Sequence, residues 1–249
     1  LNDRQWARIE PHLPTGLTRP DRDDDRRIIS GIVHMLQSGA RWRDCPRQYG
    51  PYTMIYNRFN RWAKRERWCA IFQALLKLGK DAVVLSLDST SIKAHRCASG
   101  GKGSTIRQSA ARGGGRTTKI HALSDPLCPP VVLHLTPGQD ADIAAAPDVL
   151  ALAPPMSALL ADKGYDGDNL RPKSLVAAPS PSFPINPTVS SFIVSTNAPT
   201  EAEMSSNADC CRLKNFRRIG TWYDKLVRNC LAAVQLAALV AYGSIESVP

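Results

Sequence analysis

The chain has 249 residues and a net charge of +10, with 43% hydrophobic and 22% charged residues. That balance supports a packed core and excludes a wholly disordered chain. Seven cysteines with no CxxC pair exclude a disulfide scaffold and a zinc-type spacing, so a reducing cytoplasm is the expected setting. The longest apolar stretch, Leu231 to Tyr242, is too short to span a bilayer and contains Gln235, so no membrane role is expected. No secretory leader is read from the first residues.

The charge is unevenly placed. Residues 1–80 hold 16 Lys/Arg against 8 Asp/Glu, whereas residues 81–172 hold 9 of each. A basic head on a neutral middle predicts a polyanion-binding module joined to a second unit. The expected division is a helical module over 1–80 and a second domain over 81–249, with 173–207 irregular.

In chain order, LNDRQWARIEPHLP predicts a short helix capped by Asn2 or Asp3, with Trp6, Ile9 and Leu13 on one face and Pro14 as its stop. From Asp24, the spacing of Ile28, Ile29, Ile32, Val33 and Leu36 is helical, and Gly39 suits its C-terminal cap. A Pro/Gly turn follows. Residues 53–79 then read as one or two helices, with Ile55, Phe59 and Trp62 toward a core and Arg58, Arg61, Lys64 and Arg65 on another face. Several short helices ending in a basic one resemble a helix-turn-helix module.

The pattern changes at Asp81. DAVVLSLDSTSI predicts a buried strand, and TTKIHALSD and PPVVLHLTPG predict two more around a turn at residues 126–130. DADIAAAPDVLALA predicts a helix and SALLADKGYDGD a fourth strand, which together indicate an α/β domain. In residues 173–207, thirteen of 35 positions are Ser or Pro and none is Arg, and no periodicity survives. Residues 211–242 resume as one long helical pattern with a basic first half.

Asp88 and Asp162 stand at or near the ends of two apolar strands, 74 residues apart. If those strands are neighbours, the carboxylates converge. Paired carboxylates without a Cys/His cluster suit a hard, oxygen-preferring cation such as Mg²⁺, and two such ions can drive a phosphodiester displacement. The alternative is that each Asp caps a turn.

Several blocks extend this reading: LNDRQWARIEPHLP, GARWRDCPRQYGPYTMIYNRFNRWAK, LDSTSIKAHR, GGRTTKIHAL, LTPGQDADIAAAP, LLADKGYDGD and CRLKNFRRIGTWYDKLVRN. In this order they resemble the DDE transposases of bacterial insertion sequences, in the group close to insertion sequence five. The resemblance covers residues 1–172 and 208–242. It implies a ribonuclease-H-like catalytic fold behind a helical DNA-binding head. It also implies cleavage at transposon terminal repeats, joining to target DNA, Mg²⁺ (or Mn²⁺) as cofactor, and a homo-oligomer on DNA. The setting would be the bacterial cytoplasm, at the nucleoid. The first two catalytic and metal-binding carboxylates fall on Asp88 and Asp162.

The family's third carboxylate belongs to a Tyr-x2-Arg-x3-Glu-x6-Lys signature. Lys214 matches the Lys, but the Glu, Arg and Tyr positions hold Asn207, Glu203 and Thr200. A shifted reading frame accounts for this. Taking the last base of one codon with the first two of the next, residues 183–207 can re-read as IPDQSNRQFIHRFDQRAYRGRNVVE, which restores all three residues in register. Asn207 supplies no charge to offset a divalent ion, so impaired activity is expected. The competing reading is a catalytically dead DNA-binding remnant, and a third is an unrelated metal nuclease on the same fold.

Among the remaining basic residues, Arg96, Lys102, Arg107, Arg112, Arg116 and Lys119 lie among glycines and read as a phosphate-gripping loop beside Asp88, the alternative being a solvated hairpin tip. After Lys214, itself a candidate DNA contact, Arg217, Arg218 and Lys225 read equally as phosphate contacts or a solvated face. Arg58, Arg61, Lys64 and Arg65 are candidates for terminal-repeat contact. GGKGST lacks a phosphate loop's spacing, His95 and His121 read as packed imidazoles, and Trp42, Trp62 and Trp68 read as core.

Overall fold

A computed structural model describes residues 1–14, 24–75, 84–95, 98, 110–112, 115–125, 129–161, 163–165, 191–194 and 212–242. Four helices come first: α1 (Asp3–Ile9), α2 (Asp25–Ser38), α3 (Tyr52–Lys64) and α4 (Arg67–Leu75). Strands β1 (Val84–Ala94), β2 (Ala110–Arg112), β3 (Gly115–Ser124) and β4 (Pro130–Pro137) follow, then α5 (Asp142–Ala151), β5 (Ala158–Ala161) and β6 (Ser191–Val194). The described chain ends with α6 (Arg217–Gly220), β7 (Thr221–Trp222) and α7 (Val227–Tyr242). The result is a mixed α/β protein with a helical N-terminal region and a mixed sheet.

Two compact units emerge: Leu1–Lys77 with Ile92–Arg107 and Arg212–Pro249, and Leu78–Ser91 with Gln108–Cys211. The sequence pattern groups 208–249 with the second half, whereas the contacts of Arg212–Pro249 lie with the N-terminal helices.

The first unit is built on helices whose ends are chemically marked. The Asn2 side chain accepts from Gln5 N–H, and Gln5 returns a bond to the Asn2 N–H, a full capping box. Helix α2 buries Ile28, Ile29, Ile32, Val33, Met35 and Leu36, then stops at Gly39 with φ +69°. A side chain there would be strained by that φ, and its Cβ would lie 2.9 Å from Arg217 Cβ. Helices α3 and α4 bury Ile55, Phe59, Trp62, Trp68, Ile71 and Phe72. Glu66 turns the chain between them at a left-handed φ of 54°.

The C-terminal region is not one helix. The described part of that pattern, residues 212–242, contains α6, the two-residue β7 and α7. Gly220 ends α6, and the strand-forming Thr221 and Trp222 pair in parallel with Lys93 and Ala94. Helix α7 is buried along nearly all its length, including Asn229 and Gln235. Gln5 Nε2 donates to the Val240 carbonyl at 3.2 Å, tying α7 to α1. No described helix is long and apolar enough to cross a membrane.

The second unit is a mixed sheet. The strand path is β2-β3-β1-β5-β6, with β4 also paired to β3. Strands β3 and β4 form an antiparallel pair, while β5 runs parallel to both β1 and β6. Leu85, Leu87, Leu123, Val132, Leu159 and Ala161 pack with Ala146 and Val149 of α5, and Met156 and Tyr165 complete this core. The segment 173–207 is not irregular throughout, because Ser191–Val194 pairs with Ala158–Ala161. Phe, Ile and Val in that stretch have strand propensity enough to explain this.

Candidate functional site

The register of β1 and β5 decides which residues can share a site. Val84 pairs with Ala158, Leu85 with Leu159, Ser86 with Leu160 and Leu87 with Ala161. Leu87 and Ala161 are the last pair, and the next residue in each segment is an aspartate, Asp88 and Asp162. Asp162 itself lies outside the described residues. Leu85 and Leu87 point into the α5 core, so strand alternation turns Asp88 to the opposite sheet face. Asp88 is half-buried, and its Oδ1 accepts the Ser89 N–H at 2.7 Å. A carboxylate with one oxygen fixed by backbone is a fitting donor for a hard cation. The described residues contain no group of three or more His, Cys, Asp or Glu able to hold a metal.

The core side of the sheet carries a second polar cluster. His121 on β3 is completely buried. Its Nδ1 is hydrogen-bonded to the Tyr165 hydroxyl and its Nε2 to Thr136 Oγ1, both at 2.7 Å. Asp142 Oδ1, at the start of α5, lies 3.9 Å from Nδ1. Burial pushes the imidazole pKa down to about 4, against the opposing pull of Asp142, so the ring is neutral near pH 7. His121 is thus a packed, doubly bonded imidazole, as expected. His95 stacks on Tyr223 with ring centroids 4.9 Å apart.

The predicted DNA-binding residues separate into two groups. Arg61, Lys64, Arg65, Lys214 and Arg217 are exposed. Arg58 is not on that face: it is buried, ion-paired with Asp25 and 5.1 Å from the Trp62 ring centroid. The helical spacing put it with its basic neighbours, but the half-buried Asp25 carboxylate draws it inward. Arg218 is also buried. Its Nη1 donates to the Ala40 carbonyl at 2.8 Å, its Nε to Asp224 at 3.3 Å, and the guanidinium lies 4.8 Å from the Trp42 ring centroid. Both arginines neutralise internal carboxylates and are corrections to the sequence reading. Lys119 is half-buried and donates to Asp142 at 3.0 Å and to the Asp140 carbonyl at 2.9 Å, so its charge is already engaged. Arg112 and Arg116 lie on the β2–β3 pair, where Ala111 pairs with Arg116 and Arg112 with Gly115, and their side chains lie outside the described residues. Position 207 lies there too.

Sequence reasoning gave no role to Tyr165, Thr136, Asp142, Asp25 or Asp224. The signal for Tyr165 was its place three residues after Asp162; the others had none, being polar residues spaced without pattern.

Comparison with known proteins agrees with this architecture. Residues 1–72 match the family described as "Putative transposase of IS4/5 family", and residues 79–177 match "Transposase DDE domain". An uncharacterized protein y4sN of Sinorhizobium fredii is 33% identical over 106 residues, 41% of this chain and 82% of that protein. The insertion element IS402 uncharacterized 16.2 kDa protein of Burkholderia cepacia is 31% identical over 107 residues, 38% of this chain and 73% of that protein. No solved structure matches. A helical N-terminal region and a mixed sheet are consistent with a DDE transposase domain. The chain belongs to the insertion-sequence DDE transposases, in the IS4/5 family. Such enzymes generally work with divalent metal ions on DNA.

Proposed function

We propose that this chain is a transposase built to cut transposon ends and join them to target DNA, and that its cutting is impaired. The observation that carries the reading is the Leu87–Ala161 register, with an aspartate next in both strands. The fold proposed for the second unit is ribonuclease-H-like. An antiparallel β4-β3 pair beside parallel β1, β5 and β6 supports it. Residues 1–80 would supply the DNA-binding head, through Arg61, Lys64 and Arg65, with Lys214 and Arg217 as further phosphate contacts. Arg112 and Arg116 remain proposed contacts near the catalytic strand. A homo-oligomer on DNA and a cytoplasmic, nucleoid setting follow the family.

Asp88 and Asp162 would hold a divalent cation, Mg²⁺ or Mn²⁺. Such an ion, when bound, supplies positive charge to the scissile phosphate and acidifies an attacking water. The chain's own part is positioning. Ser89 N–H holds one Asp88 oxygen, which fixes the orientation in which the carboxylate would meet the ion. The exposed cations hold phosphates and set the register of the duplex. Asn207 stands where the family's Glu would be, so one negative charge is missing from the donor set. That absence favours the second reading, a remnant that binds ends without cutting.

A gel-shift and cleavage assay on DNA containing the flanking element ends, with and without Mg²⁺, tests this. End-specific binding with weak or no Mg²⁺-dependent nicking supports an impaired transposase. Mg²⁺-dependent cutting of generic DNA without preference for ends would refute it.

A further inference from the structure

The turn that follows Asp162 is anchored from the core side of the sheet. Lys163–Tyr165 forms a single 3-10 turn, and Tyr165 is completely buried in the core of the second unit. Its hydroxyl is held 2.7 Å from His121 Nδ1, and the same ring is held from its far side by Thr136 Oγ1. The three groups form a continuous strut from β4 through β3 to the turn. The ring is neutral and fully buried, so both nitrogens must find partners, and these two hydroxyls supply them. Tyr165 is three residues past Asp162, too few to absorb movement of the anchor. Losing a group bonded directly to a ligand costs about 10- to 100-fold in metal affinity, so an anchor acting through three residues of chain should cost about tenfold at most.

The geometry points to His121 as a positioning residue that, through Tyr165, fixes the segment carrying the Asp162 carboxylate. This rests on the reading of Asp88 and Asp162 as cation ligands. The two ring nitrogens make the claim testable in a way plain stability does not. In an asparagine at 121 the amide occupies roughly the place of Nδ1 and keeps a partner for Tyr165. In a glutamine it reaches roughly the place of Nε2 and keeps one for Thr136. Each variant leaves one buried hydroxyl with a lost bond, so a stability role treats them alike. A positioning role does not.

The experiment is titration of the full-length chain with Mn²⁺ alone, following the free-ion paramagnetic resonance signal, with thermal melts as a fold control. Wild-type should show a site that Asp88→Asn abolishes. His121→Gln and Tyr165→Phe should weaken that site about tenfold, while His121→Asn stays within about threefold of wild-type. If His121→Gln does not fold, Tyr165→Phe carries the test, since it keeps the ring in the core and removes only the oxygen. An Asp88-dependent site left unchanged by Tyr165→Phe would overturn the positioning role alone. A wild-type chain with no Asp88-dependent site would overturn the metal reading, and the positioning role with it.

Discussion

Replacing Arg218 by methionine should destabilise the helical unit strongly while leaving its DNA contacts intact. Arg218 is 4% exposed, and its guanidinium has three kinds of partner: the Ala40 carbonyl, the Asp224 carboxylate and the Trp42 and Tyr223 rings. Methionine fills much of the volume but leaves Asp224 as a buried charge without its partner. Breaking such a pair from one side costs about 3–5 kcal/mol, of which the lost bond to the Ala40 carbonyl is about 1.5–3 kcal/mol. Adding Asp224→Leu removes the orphaned charge and should recover about half of the loss, since the Ala40 carbonyl bond stays broken. All five tryptophans, at positions 6, 42, 62, 68 and 222, belong to the first unit, so urea unfolding followed by tryptophan fluorescence reports on that unit. Under conditions where the variant stays folded, the salt slope of its DNA affinity should equal that of wild-type. A loss below about 1 kcal/mol with a slope reduced by about one would make Arg218 a phosphate contact and refute the reasoning.

Other outcomes follow from the same geometry. Alanine at Arg61, Lys64 and Arg65 together should reduce the salt slope of DNA binding by up to about three, with a stability change below about 1 kcal/mol, because all three are exposed. Glycine at Glu66 should raise the midpoint of unfolding, by about 0.5–1 kcal/mol in stability, since it relieves a left-handed φ of 54°. The second unit should lose stability in acid through His121. Its folded pKa of about 4 lies below the ordinary 6.5, so the unfolded chain takes the proton first. Stability is then full above about pH 6.5, falls between 6.5 and 4, and levels off below, with a total loss of about 3 kcal/mol. Asp142, His134, Lys119 and Asp140 also face the ring, and the attraction of the two carboxylates limits the effect. Hydrogen exchange of β3 amides across that range measures it, and His121→Asn should remove the slope.

Much of the fold was legible because its signals are local and periodic. The Asn2 cap, the Gly39 stop and the i, i+4 spacing of α2 each name a helix end or face without tertiary context. Strands β1, β3 and β4, helix α5 and strand β5 were legible for the same reason, whereas the short β2 and β6 were not. The continuous C-terminal helix was not, because Thr221 and Trp222 find strand partners at Lys93 and Ala94, more than 120 residues away. The fates of Arg58 and Arg218 were hidden in the same way. Helical spacing shows which residues share a face, but not that Asp25 and Asp224 lie half-buried behind them. For the site, the two aspartates could be named from the chain, but the pairing of Leu87 with Ala161, the residues before them, needed the sheet. The His121–Tyr165 strut needed the sheet itself.

The most direct test of the account compares DNA cleavage by two chains in Mg²⁺, on a duplex carrying the flanking element end. One is the chain as it stands. The other carries IPDQSNRQFIHRFDQRAYRGRNVVE at residues 183–207, which restores a carboxylate at position 207. The account predicts that both bind the end and that only the restored chain nicks it, in a reaction that Asp88→Asn abolishes. Nicking by the unrestored chain at a comparable rate, or by the restored chain without Asp88, would contradict it.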